Sequence, residues 1–376
     1  MKLTKDRLLS LISQEITNSM GYYGGDLTEQ RRNALKFYLG EPLGNEQEGQ
    51  SQVRSQDMLE IVESILPSMM RIFTQGESIV RFQPQNADDV EYSEQASDYI
   101  NHIFNVDNNG YSILHTMFKD ALISKNGFVK YYWKTSKEQA KESYENLTEA
   151  EYQALLIDPE VEIVEVDEGA TDIDLDNMEV SENTYNVTVK RVKDYGRIVI
   201  ENVPPESMLV SKTATSLDDC NFIGQRVFKT RSELINMGFD KKIIDKLPPA
   251  DEDVYNTEAV TRRSYDDQTT PQDYQNIDPA LTVVSVTECY MRCDFDNDGI
   301  AELRHIVVGG SGLNSYHLLE NEEIEQIPFA MVTPIPMPHR FFGLSMYDLV
   351  GDIQEIKTTL FRQILNNAYL QNNART

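Results

Sequence analysis

Positive charge is what this chain has least of. Its 376 residues carry 34 Lys and Arg against 62 Asp and Glu, a formal net charge of −28 at neutral pH. Affinity for nucleic acid rests largely on Lys and Arg neutralising phosphates, so this balance excludes a conventional nucleic-acid grip. A solvated acidic surface explains most such proteins. Two sharper readings also fit: an acidic DNA mimic that occupies a DNA-processing partner, and a wall past which DNA moves without sticking. Cysteine is scarce and odd in number, at Cys220, Cys289 and Cys293. That argues against a disulfide framework and fits a reducing cytosol. Long hydrophobic runs are missing too, and nothing approaches the ~20 apolar residues of a membrane span. The charged start MKLTKDRLLSLISQEI reads as a surface helix, not a secretion signal.

Chemistry-bearing patterns are equally thin. There is no Gly-x-Ser-x-Gly elbow and no His-Glu-x-x-His pair. Gly309-Gly-Ser-Gly312 lacks the Lys-Ser/Thr ending of a phosphate loop and reads as a hairpin turn. His102 and His115 lie on apolar helix faces with no second ligand at a metal spacing, so they read as packing residues. Cys289 and Cys293 share a strand face, but no second pair of soft ligands completes a zinc site. No enzymatic activity and no cofactor is expected.

What is present is architecture. Leu8, Leu9, Ile12 and Ile16 fall at helical spacing, and a second helix follows from Thr28 with Ala34, Leu35 and Tyr38 inward. Asp57 is placed to cap a third helix to Phe73, with Leu59, Val62, Ile65, Leu66, Met69 and Met70 inward and a kink at Pro67. A strand over 78–83 precedes a helix over 88–105, with Tyr92, Ala96, Tyr99, Ile100 and Ile103 on one face. A helix over 111–124 and a strand over 128–133 come next. Residues 142–189 contain no Lys or Arg. Within that stretch Thr148-Glu-Ala-Glu151 is a capping-box start and 161–166 alternates as a strand. The acidic run 168–183 has too few large apolar residues to order itself by burial. The alternating runs 185–192 and 197–203 form a hairpin across Lys193-Asp-Tyr-Gly196. Thr230-Arg-Ser-Glu233 opens a further short helix, and 251–281 reads as a linker-like loop.

The last third is the most informative. A strand over 282–293 meets DFDNDGIAELRHIVVGGSG, where Asp294, Asp296, Asp298 and Gly299 match the first half of an EF-hand loop. The twelfth position, which needs a bidentate Glu, is His305, and the flanks are strand-like. The run therefore reads as an Asn-Asp-Gly hairpin turn, with calcium held by Asp294, Asp296, Asp298 and Glu302 as the alternative. After a Pro-punctuated crossing and a Phe-Phe-Gly corner comes a long helix. Ser345-Met-Tyr-Asp348 caps it, and Leu349, Ile353, Ile356, Leu360, Ile364 and Ala368 form one stripe. From about 345 to 373 it spans roughly 40 Å at 1.5 Å per residue.

Four stretches, in this order and spacing, carry a resemblance to a known family: DMLEIVESILPSMMRIF from Asp57, NNGYSIL from Asn108 with FKDAL from Phe118, DFDNDGIAELR from Asp294, and the Gly343-Leu-Ser345 helix. Together they resemble the portal, or head-to-tail connector, proteins of short-tailed bacteriophages. The resemblance implies an α+β portal fold. Residues 1–250 would form a wing and hip, with 142–189 as an acidic excursion. Residues 282–340 would form a small clip of β-hairpins, and 341–376 a stem helix. It further implies a non-enzymatic ring of twelve at one capsid vertex that passes double-stranded DNA in packaging and ejection. The expected partners are terminase large subunit, head-completion and tail adaptor proteins, and capsid and scaffolding proteins. The stem contacts would run through Ser345, Leu349, Ile353, Ile356, Leu360 and Ile364. The protein would reside in the virion, and in the host cytoplasm during assembly. Such proteins continue past this helix, so the pattern is expected to be C-terminally incomplete at Thr376. The alternatives are the DNA mimic and a calcium-dependent binding module.

Overall fold

The computed structural model describes residues 3–21, 25–42, 44–76, 78–158, 161–169, 184–250, 257–264, 278–310 and 316–373. It forms two compact units, Met1–Tyr131 with Ile200–Thr376, and Tyr132–Val199. Helix and strand are mixed in the α+β manner the sequence implies.

The first unit begins with α1 (Lys5–Asn18), α2 (Asp26–Leu39), α3 (Asp57–Thr74), α4 (Val90–His102) and α5 (Gly110–Ser124). Helix α3 continues through Pro67 and buries Met58, Val62, Leu66 and Met70, a row at four-residue spacing. With Leu35 of α2 and Phe118 and Leu122 of α5 they make one helical core. Asp57 does not cap α3. It stands inside the first turn, where its carboxylate accepts from Ser55 Oγ (2.6 Å) and pairs with Lys357. Residues 78–83 are extended but form no strand, because side chains of α4 take their backbone groups. Helix α4 runs on into a π-helical turn, Ile103–Asp107, and turns Tyr92 and Tyr99 outward.

The strands of this unit fall into two sets. The start of β1 (Gly127–Leu147) pairs antiparallel with β9 (Phe329–Val332), from Gly127↔Val332 to Lys130↔Phe329. The second set is a five-stranded antiparallel sheet of β4 (Met208–Val210), β5 (Phe222–Thr230), β6 (Val283–Cys293), β7 (Glu302–Gly309) and β8 (His317–Glu323), paired in chain order. Consecutive residues of β5, β6 and β7 are buried because both faces of the sheet are covered. Leu8, Ile12 and Ile16 of α1 pack with Phe222, Met291 and Ile306. Leu234 of α7 (Arg231–Asn236) and Ile244 of α8 (Lys241–Ile244) pack with Val284, Val286 and Val307.

Two sequence expectations change here. The clip-like region 282–340 is not separate from what precedes 251, since β5 pairs β6 along nine residue pairs from Phe222↔Met291 to Thr230↔Val283. The stretch 251–281 is also not all loop: Thr257–Ser264 forms α9, seated on α2. It docks through Arg262, which reaches Asp120 (2.9 Å) and Glu206 (3.2 Å), and through Glu258, which is fully buried. Of the Gly309–Gly312 turn, 311–315 lie outside the described residues.

The second unit holds the outer length of β1, then α6 (Glu149–Ile157), β2 (Val161–Gly169) and the first part of β3 (Thr184–Val203). Thr148 and Glu151 close the capping box over α6 as expected. Strands β2 and β3 pair antiparallel from Val161↔Arg191 to Gly169↔Thr184, with a bulge between Ile163 and Glu165. The hairpin turn expected at 193–196 is absent, and β3 passes straight through. Gly196 is there for clearance: a Cβ on it would lie 2.0 Å from the Trp133 ring. Most of the acidic run, 170–183, lies outside the described residues.

Candidate functional site

Helix α10 (Met346–Asn373) is the feature on which a function can be built. The corner before it is fixed by Asn126, fully buried, whose Nδ2 donates to Thr333 Oγ1 and to the Phe341 carbonyl, both at 3.1 Å. Gly343 is required in that corner, because a Cβ would sit 2.3 Å from the Ile335 carbonyl oxygen. The cap is the expected one. The Ser345 N–H donates to Asp348 Oδ2 (2.7 Å), and the Asp348 N–H donates back to Ser345 Oγ (3.4 Å). Lys125 adds an ion pair to Asp348 at 3.0 Å. Burial tends to raise the Asp348 pKa, but the Ser345 hydrogen bonds and Lys125 outweigh it and hold the carboxyl below its usual value.

Beyond its first turn, where Met346, Tyr347 and Val350 pack on the helical core, the face that α10 turns toward its own chain is polar. Gln354, Thr358, Arg362 and Asn366 stand four residues apart and form a ladder against residues 51–58, the run that enters α3 and its first turn. The Met58 N–H donates to Gln354 Oε1 (2.9 Å) and the Ser55 N–H to Thr358 Oγ1 (3.1 Å). Arg362 Nε donates to the Val53 carbonyl (2.9 Å), and its guanidinium also meets Glu46 at 2.6 Å. The Ser51 N–H donates to Asn366 Oδ1 (2.7 Å). An extended backbone needs hydrogen-bond partners, and here a helix supplies them in place of a sheet. Nothing in the sequence pattern announces this ladder, and it is the main feature that periodicity missed.

The opposite face is the aliphatic stripe expected from the sequence. Leu349, Ile353, Ile356, Leu360 and Ile364 are 50–62% exposed, whereas Gln354, Thr358 and Arg362 are at most 8% exposed. The helix is inverted relative to an ordinary surface helix, with polar groups inward and apolar groups outward. Ser345 separates from the other five residues expected in the stem, being buried in the cap.

The Asp-rich run forms the β6–β7 turn, closed by the Cys293↔Glu302 pair. Carboxylate oxygens of Asp294, Asp296 and Asp298 lie within 4.8 Å of one another. They are occupied locally. The Asp298 N–H donates to both Asp294 Oδ1 and Asp296 Oδ1 at 3.1 Å, and the Gly299 N–H donates to Asp294 Oδ2 at 3.0 Å. Asn297 and Gly299 take positive φ, as such a turn requires. Glu302 stands apart on β7, beside Arg304 at 3.5 Å.

Other reactive groups are used internally. Desolvation by burial pushes all three thiols up, Cys220 to about 12, which disfavours the reactive thiolate. His102 lies 3.7 Å from Asp107 at the surface, and His115 stacks on Tyr111. Glu288 was not singled out by the sequence, although an acid amid the apolar run of β6 was a signal. It binds Lys130 of β1, the Tyr290 hydroxyl (2.6 Å) and His305 Nε2 (2.9 Å), clamping the β1–β9 pair to the five-stranded sheet.

Among the described residues, the longest helix is held by polar side chains and turns an aliphatic stripe outward, as a surface built for contact does. A family model described as the phage SU10 portal protein matches residues 8–376, and the chain belongs to the phage portal proteins. No curated protein matches it. No helix among the described residues is long and apolar enough to cross a membrane.

Proposed function

We propose that the chain is one subunit of a portal ring of twelve at a single capsid vertex. The observation that carries this reading is the inverted α10. Five aliphatic side chains, each half or more exposed in the single chain, offer on the order of 5 kcal/mol if covered. A contiguous apolar face of that kind marks a protein contact. On this reading 341–376 is the stem, the hairpins within 282–340 carry the docking face for terminase large subunit and tail adaptors, and the helices within 1–250 lie toward capsid and scaffolding proteins. The ring passes double-stranded DNA during packaging and ejection without gripping it, and the −28 charge supports that, since like charge keeps a polyanion mobile. ATP hydrolysis belongs to the packaging motor, not to this chain. The protein resides in the virion, and in the host cytoplasm during assembly.

The test is an Ile353→Glu, Ile356→Glu variant in sedimentation velocity. The wild type sediments as a large homo-oligomer and the variant as a monomer, with unchanged far-UV circular dichroism. A variant that assembles like the wild type removes α10 from the subunit contact.

A further inference from the structure

A second helix of the first unit is built like α10. On α4, Ser97 and Asn101 stand four residues apart and dock the extended segment 79–82. The Phe82 N–H donates to Ser97 Oγ (2.9 Å), the Ile79 N–H donates to Asn101 Oδ1 (2.8 Å), and Asn101 Nδ2 donates to the Val80 carbonyl (2.7 Å). Its opposite face carries Tyr92, Tyr99 and, in the following turn, Val106, at seven-residue spacing and exposed by 77%, 63% and 67%. Ser97 and Asn101, by contrast, are buried. Helix α4 thus docks an extended segment through polar side chains, beside the buried Ile103, and turns a stripe of large side chains outward as α10 does.

We infer that the two stripes are the two sides of one head-to-tail contact, the α10 stripe of one copy packing on the α4 stripe of the next. The inference rests on the ring reading above. A closed ring needs a heterologous interface, two different patches on the same subunit, not one patch meeting itself. The two stripes meet that requirement in three ways. They match in length: Leu349 to Ile364 rises roughly 22 Å, and Tyr92 to Val106 roughly 21 Å. They match in size, each exposing on the order of 300 Å² of side chain. Neither alone reaches the roughly 800 Å² per partner of a stable interface, so the α4–α10 pairing forms its centre and neighbouring surface completes it. They also lie apart. The α10 ladder holds the chain entering α3 and the α4 ladder holds the chain leaving it, with the 18 residues of α3 between them. Flat, rigid tyrosines against branched aliphatics is a favourable pairing for such a contact.

Variants Tyr99→Cys and Ile356→Cys, each made on a Cys293→Ser background and treated with a short bis-maleimide, test the pairing. The Cys293→Ser chain without either change is the control, since the two cysteines it keeps, Cys220 and Cys289, are buried whereas Cys293 is partly exposed. Each variant alone stays monomeric on a denaturing gel, an equal mixture gives dimers, and a chain carrying both changes gives a ladder beyond the dimer. Charge changes give a second readout. Tyr99→Lys and Ile356→Glu each lower assembly at least tenfold, and the two together in one chain restore it. Assembled protein whose mixture yields no crosslinked dimer overturns the pairing. So does Ile356→Cys crosslinking to itself, which would mean that α10 meets α10. Both results leave the ring reading standing. A monomeric native mass for the wild type overturns the ring reading, and the pairing with it.

Discussion

Glu288→Gln is the most informative single change in the core of the first unit. The side chain is 18% exposed and lies against Lys130, Tyr290 and His305. Burial raises its pKa. The hydrogen bond from His305, the charge and hydrogen bond of Lys130, and the Tyr290 hydroxyl together outweigh that and hold it at about 2, below an ordinary value of 4.5. At ~1.4 kcal/mol per pKa unit, that difference is worth about 3 kcal/mol of stability at neutral pH. Glutamine keeps the shape but leaves Lys130 buried without its counter-charge, which costs a similar amount. Because the folded pKa is depressed, the contribution is complete above pH 4.5 and is lost as pH falls through about 2. Urea unfolding followed by circular dichroism should place Glu288→Gln about 3 kcal/mol below wild type at pH 7, with the gap closing toward pH 2. Replacing the pair together, Lys130→Met with Glu288→Leu, recovers much of the loss. A Glu288→Gln protein within ~0.5 kcal/mol of wild type at pH 7, or a gap that does not change with pH, refutes the reasoning.

Glu258 of α9 predicts the opposite slope. Burial raises its pKa to about 8 against the counteracting charge of Arg31, so its contribution is present below pH 4.5 and lost as pH rises through 8. Wild-type stability should fall across that window while Glu258→Gln shows a flatter profile; parallel profiles contradict the assignment. Arg362→Ala removes the Glu46 pair and the Val53 bond, costs about 3 kcal/mol, and frees 45–54 from α10. Faster tryptic cleavage after Arg54 is the readout, and unchanged cleavage counts against the ladder. Millimolar calcium should leave the melting temperature unchanged, because backbone N–H groups occupy the Asp294, Asp296 and Asp298 carboxylates; a rise in wild type that Asp296→Ala abolishes makes the turn a calcium site. Assembly should strengthen with added salt, since copies carrying −28 each repel one another, and weakening with salt points to an ion-paired contact.

The sequence was legible where periodicity meets an apolar core. Leu8, Ile12 and Ile16, then Val62, Leu66 and Met70 of α3, and the capping boxes at Thr148 and Thr230 all follow from local rules. The Asp294–Gly299 turn was legible because its side chains bond their own backbone. Residues 78–83 were misread because an extended run can satisfy its backbone on Ser97 and Asn101 without joining a sheet. Helix α9 was missed because it docks through Glu258 and Arg262, which look solvated in any composition profile. For α10 the stripe was legible but its direction was not. Which side faces inward depends on Gln354, Thr358, Arg362 and Asn366 meeting a segment some 300 residues earlier, and no local pattern encodes that.

The central claim is that this chain assembles into a ring through the outward apolar face of α10. Negative-stain electron microscopy of the purified protein, with native mass measured alongside, tests it most directly. The account predicts rings with a central channel and a mass of twelve 43.0 kDa chains. A homogeneous monomer or dimer contradicts it.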